Sequence, residues 1–104
     1  MIHQLKIQDK YFEKIISNKK TFELRKDDRG YRVGDYLGLN EATLKNGEWK
    51  ETGRFVLVKV EGILDEFVGI EEGYVIMSIT PCQIGECAKL YVPYYDCSHL
   101  EDED

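Results

Sequence analysis

The chain has 104 residues, 42% of them hydrophobic and 33% charged, with a formal net charge of −6. That length supports one domain with one core, and the composition is that of a globular chain, not a disordered or fibrous one. The acidic balance argues against a protein that coats nucleic acid through bulk charge, and no apolar run nears the roughly 20 residues of a membrane span.

From the N-terminus, His3 to Ile7 reads as a first strand, with Leu5 and Ile7 facing one way and Gln4 and Lys6 the other. Asp9 offers a carboxylate as N-cap for a helix from Lys10 to Ser17, whose Tyr11 or Phe12, Ile15 and Ile16 fall on one face. Asn18 closes that helix, since Asn tolerates the left-handed conformation of the residue after a helix. From Thr21 to Arg25 the pattern changes to period two, which predicts Phe22 and Leu24 facing the core and Thr21, Glu23 and Arg25 sharing the opposite face. Val33-Gly34-Asp35 is a turn into a strand from Tyr36 to Glu41, with Leu37 and Leu39 inward and Gly38 allowing a close approach or bulge. Asn46-Gly47 is the strongest hairpin signal and predicts a type I′ turn. Arg54 to Leu64 is the longest strand candidate, buried on both faces, with a bulge expected at Gly62. An acidic loop from Asp65 to Gly73, holding Phe67, Val68 and Ile70, leads to a last core strand, Tyr74 to Thr80, which Pro81 is expected to end. The expected fold is mostly β, an α+β chain forming a small antiparallel barrel with one main N-terminal helix over residues 1–81, followed by an acidic, cysteine-containing extension over 82–104.

Charge is unevenly spread along this plan. Lys19, Lys20, Arg25, Lys26, Arg29 and Arg32 face only Glu23, Asp27 and Asp28, a local +3, whereas residues 82–104 hold Lys89 against Glu86, Asp96, Glu101, Asp102, Glu103 and Asp104, a local −5. Taken alone, each cluster is first a solvated surface. The basic stretch has more pattern than charge, however. A strand presenting Thr21, Glu23 and Arg25 on one face, with Lys20 before it, offers a hydroxyl, a carboxylate and two cations to one polar ligand. The plain alternative is an exposed Glu23 to Arg25 ion pair of little energetic weight.

The string KKTFELRKDDRGYRVGD, preceded by YFEKIISN and followed by TGR and GYVIMSI, resembles the activating-signal-cointegrator homology (ASCH) domains of the PUA-like superfamily, in a small uncharacterised bacterial and phage branch. The resemblance covers residues 3 to 80, with Asn18 where the family usually has Gly. It implies a PUA-like barrel whose cleft, beside the first helix and the Thr21–Arg25 strand, binds RNA or a modified nucleotide. On that implication Lys20, Thr21, Glu23 and Arg25 line the cleft, with Arg29 and His3 beside it. Some ASCH proteins resemble amidohydrolases acting on acylated cytidines, and this is the alternative. Lys20 and Arg25 match their lysine and arginine, but Glu23 stands where they have threonine, and their glutamate would have to come from Asp65, Glu66, Glu71 or Glu72.

A second constellation is Cys82, Cys87, Cys97 and His99, spaced C-x4-C-x9-C-x-H. Four such ligands suit tetrahedral zinc, but the paired C-x2-C knuckle is missing and free thiols are the simpler expectation. No cofactor is expected. Tyr31, Tyr36, Trp49, Phe67 and Tyr74 are candidate stacking platforms for bases, though most aromatics in a small barrel are core. The N-terminus lacks a signal peptide's apolar stretch, and an odd cysteine count suits a reducing compartment, so a cytoplasmic location is expected, with a protein partner for the acidic tail as a further possibility.

Overall fold

The computed structural model describes residues 1–66 and 68–86. Among them lie five strands and one helix: β1 (Ile2–Gln8), α1 (Asp9–Ile16), β2 (Phe22–Lys26), β3 (Tyr36–Lys45), β4 (Glu48–Leu64) and β5 (Tyr74–Glu86). The chain is mostly β. The strands form one sheet in the order β1-β3-β4-β5-β2, with β1 parallel to β3 and every other pair antiparallel.

Among the described residues that order leaves β1 and β2 as unpaired edges, so the ladder does not close into the expected barrel. The sheet nevertheless curls. Laid flat, its edges would stand about 19 Å apart at about 4.8 Å per strand, yet Arg25 Nη2 on β2 donates to the Lys6 carbonyl on β1 at 2.9 Å. A side chain thus spans the seam that backbone bonds leave open. The concave face holds Leu5, Ile7, Leu37, Leu39, Val56, Val58, Val60, Val75, Met77 and Ile79, and α1 adds Phe12 and Ile15 to the same cluster.

Most local signals hold. Asn46 and Gly47 take φ of 52° and 80°, the positive values that a type I′ turn requires. A Cβ on Gly38 would lie 2.5 Å from Gln4 Oε1, so the expected close approach is present, against the end of a flexible side chain. The β4–β5 register shifts between Val60 and Gly62, the expected bulge.

Four expectations need correction. Asp9 does not cap α1 from outside: Gln8 holds the cap position without a side-chain bond, and Asp9 lies in the first turn, where its charge still suits the helix dipole. The predicted two-sided burial of β4 holds only at Phe55 and Val56, neighbours on opposite faces that are both buried; beyond them Val58 and Val60 are buried and Leu57 and Lys59 only partly so. Pro81 does not end β5, which runs on to Glu86; it pairs with Val58 where the register slips from Leu57, a bulge that tolerates a residue with no N–H. The largest correction concerns β2. Its alternation is right but its phase is reversed, because Glu23 pairs with Met77 and Arg25 with Val75, whose side chains face the core. Residues opposite one another across antiparallel strands share a face, so the two charged side chains point inward while Phe22 is 39% exposed.

Candidate functional site

Lys20 reaches the interior through the end of α1. Asn18 adopts φ 64°, the Lys19 amide donates to the Lys14 carbonyl and the Asn18 amide to the Ile15 carbonyl, which together make a Schellman termination. The Lys20 amide also donates to Lys14 O at 2.9 Å, which fixes the backbone from which the side chain departs. Lys20 Nζ then donates to Glu23 Oε1 and Arg25 Nε to Glu23 Oε2, each at 2.9 Å. Exposure is 5% for Lys20, 0% for Glu23 and 2% for Arg25. Lys20 Nζ also lies 4.5 Å from the Tyr11 ring centroid and 5.7 Å from that of Phe22, so two aromatic faces flank the ammonium.

Three ionised groups are therefore withdrawn from water inside a small domain, with a formal sum of +1. Desolvation makes such a cluster a poor source of stability compared with apolar residues of the same volume. A pattern of this cost, at the junction of a helix end and a sheet edge, marks a candidate site.

The neighbouring loop is pinned at both ends. Asp27 Oδ1 accepts from the Tyr31 amide at 3.2 Å, and Asp35 Oδ2 accepts from the Arg32 amide at 3.0 Å and lies 2.8 Å from His3 Nε2. The His3 hydrogen bond is the main reason the Asp35 carboxyl is held below the usual carboxylate range. His3 thus sits not at the Lys20 end but under the loop, edge-on to the Tyr31 ring at 4.9 Å. Tyr31 is 6% exposed and its phenol is pushed up to about 12, first by burial, with Arg25 and Arg29 opposing and Asp28 and Glu23 reinforcing the shift. Tyr31 Oη and Arg29 Nε are both buried without a hydrogen-bond partner among the described residues. An unmade bond at a buried polar group costs about 1–3 kcal/mol.

Of the residues picked from sequence, Lys20, Glu23 and Arg25 come together, Arg29 and His3 flank them through Tyr31, and Thr21 is exposed, its carbonyl accepting from the Ile79 amide. Tyr36, Trp49 and Tyr74 are half-buried, and Phe67 lies outside the described residues. Asp65, Glu66 and Glu72 line a hollow of about 230 Å³ with Asp27 and Tyr74, at the opposite end of β2 from Lys20. Cys82 is an exposed free thiol whose Sγ approaches Thr80 O at 3.5 Å. Cys87, Cys97, His99 and the acidic tail lie outside the described residues, and among those described no cluster of His, Cys, Asp or Glu suits a metal. Among them, too, no helix is long and apolar enough to cross a membrane.

Sequence reasoning missed Tyr11 and Phe22 as neighbours of Lys20. Helical spacing points to Tyr11 or Phe12 on the buried face, and the alternation of β2 predicts Phe22 in the core, away from Lys20. It also missed a second network, in which Arg54 clasps Glu41 through Nε at 2.9 Å and Nη2 at 2.7 Å, reaches Glu13 on α1 and lies over the Phe12 ring. Its members are scattered over 41 positions of sequence and carry no spacing signal.

Residues 2–79 match a domain of unknown function, DUF3850, and the chain belongs to that family. It is also similar, at 35% identity over 79 residues, to an uncharacterised 12.9 kDa protein in the GpA 3′ region of Escherichia phage P2. The alignment covers 73% of this chain and 65% of that relative's length.

Proposed function

We propose that this protein binds RNA or a modified nucleotide, held among Lys20, Glu23 and Arg25 as in the ASCH group of PUA-like domains, within the cytoplasm. The observation that carries the reading is the buried ion network, with a carboxylate able to accept from base amino or ribose hydroxyl groups and cations able to meet oxyanions. Side chains exposed by 5% or less suit one inserted nucleotide unit, not a long backbone track. The exposed Phe22 ring beside Lys20 adds a face on which a base can stack. The acidic tail is a candidate surface for a protein partner.

Amidohydrolysis of an acylated nucleoside is the second reading, drawn from Lys20 and Arg25. What weighs against it is the placement of the loop carboxylates near Asp27, seven residues from Lys20 and beyond the opposite end of β2. The test is titration of RNA oligomers and modified nucleosides, acetylated cytidine included, against wild type, Lys20→Met, Glu23→Gln and Arg25→Lys. Binding that weakens ten- to a hundredfold in the folded Lys20 and Arg25 variants supports the reading, and unchanged affinity refutes it. Release of acetate, abolished by Lys20→Met, would transfer the assignment to hydrolysis.

A further inference from the structure

The 27–35 loop buries two donor atoms that find no acceptor among the described residues. Tyr31 Oη and Arg29 Nε are both buried and both without an acceptor, whereas the loop around them is tightly bonded through Asp27 and Asp35. A slack loop would turn such groups toward water. This one cannot easily do so, since the Tyr31 amide is held by Asp27 and its ring is braced edge-on by His3, itself tied to Asp35. Gly30, between the two donors, takes φ 67°, a left-handed conformation that sets the direction of both neighbours.

The chemistry of the pair narrows what can complete it. A guanidinium N–H only donates, and a phenol that keeps its proton up to about pH 12 also donates at neutral pH. Two neighbouring donors call for a ligand atom that can accept from both. Arg25 and Arg29 act on the phenol as cations and Asp28 and Glu23 as anions, and of the two acids Glu23 is held between Lys20 and Arg25. A phosphate oxygen can accept from both donors at once, which a base amino group, with no lone pair to offer the guanidinium, cannot do.

We infer that Arg29 Nε and Tyr31 Oη form a phosphate subsite next to the Lys20–Glu23–Arg25 cluster, so that the ligand class is a phosphorylated nucleoside and not the bare nucleoside. This rests on the proposed nucleotide-binding role of the cluster, and adds to it a requirement for the phosphate group.

Calorimetric titration of the full chain with cytidine, cytidine 5′-monophosphate, the other three nucleoside 5′-monophosphates and inorganic phosphate tests both parts separately. At least one monophosphate is expected to bind ten or more times tighter than its nucleoside. Tyr31→Phe and Arg29→Gln should bring that ratio to within about threefold of one while leaving nucleoside affinity within about twofold, and Glu23→Gln should weaken nucleoside and nucleotide alike. If wild type binds nucleoside and monophosphate equally, or if Tyr31→Phe keeps the preference, the subsite is refuted while the cluster reading stands. Phosphate alone binding as tightly as the best monophosphate, with the same loss in both variants, would retain the subsite and refute the cluster reading. No binding by any of these probes overturns both. Thermal unfolding supplies an arm that needs no ligand. Because Oη has no partner to lose, Tyr31→Phe should melt at or above the wild-type temperature; a fall of more than about 5 °C would show a bonded hydroxyl and refute the inference.

Discussion

Glu23→Gln is the most informative single change in this protein. It keeps the side chain's shape but removes the charge that lies between Lys20 Nζ and Arg25 Nε, both 2.9 Å away. Removing one partner from a buried ion network costs about 3–5 kcal/mol, because the remaining charges stay desolvated without it. Against a total stability of about 5–15 kcal/mol for a domain, that is a large share. At about 4–8 °C per kcal/mol for a chain of this size, the melting temperature should fall by at least about 12 °C. Replacing all three charges with apolar side chains of similar volume, as Lys20→Met, Glu23→Leu and Arg25→Met together, should recover most of the loss, to within about 2 kcal/mol of wild type, while abolishing ligand binding. The triple change forfeits the Arg25 bond to Lys6 O across the seam, which is why full recovery is not expected. Urea titrations of the three proteins provide the comparison. If Glu23→Gln lies within 1 kcal/mol of wild type, the carboxylate is not buried between two cations. If the triple variant is as unstable as the single one, the network serves the fold and the argument that its cost signals a binding role fails.

Three further outcomes follow from the same geometry. Asp35 has a lowered carboxyl pKa, mainly from the His3 hydrogen bond, so its contribution to stability is complete above the unfolded value of about 3.9 and is lost as pH falls below it; Asp35→Asn should be less stable at neutral pH and show a flatter acid limb in pH-dependent denaturant titrations. Tyr31 has the opposite dependence: the unfolded phenol ionises near 10 and the folded one near 12, so stability should fall by about 2–3 kcal/mol between those pH values, a loss absent in Tyr31→Phe and measurable by denaturant titration across that window. Arg54→Ala removes the two-pronged contact to Glu41, whose side chain is 4% exposed, and leaves that carboxylate with the Thr52 hydroxyl; a loss of about 2–3 kcal/mol is expected by urea unfolding, and a loss below 0.5 would mean the network is solvated.

What the sequence by itself determined were features set within a few residues. Asn18 as the left-handed helix stop, Asn46-Gly47 as a primed turn, the close approach at Gly38 and the bulge at Gly62 each depend on a backbone conformation or missing Cβ that the local residues encode. The period of two in β2 was equally legible, and with it the fact that Glu23 and Arg25 share a face. Which face that is was not. Hydrophobicity alone assigns Phe22 and Leu24 to the core, but the choice belongs to the β5 partner, where Val75 and Met77 sit opposite Arg25 and Glu23. In the same way Pro81 reads as a strand end until β4 supplies a register slip that accommodates it. Only the tertiary structure curls the sheet so that Arg25 reaches Lys6 O and turns a predicted surface ion pair into a buried network. The physical reason is that periodicity is a property of one strand, whereas inside and outside are properties of the partners it meets.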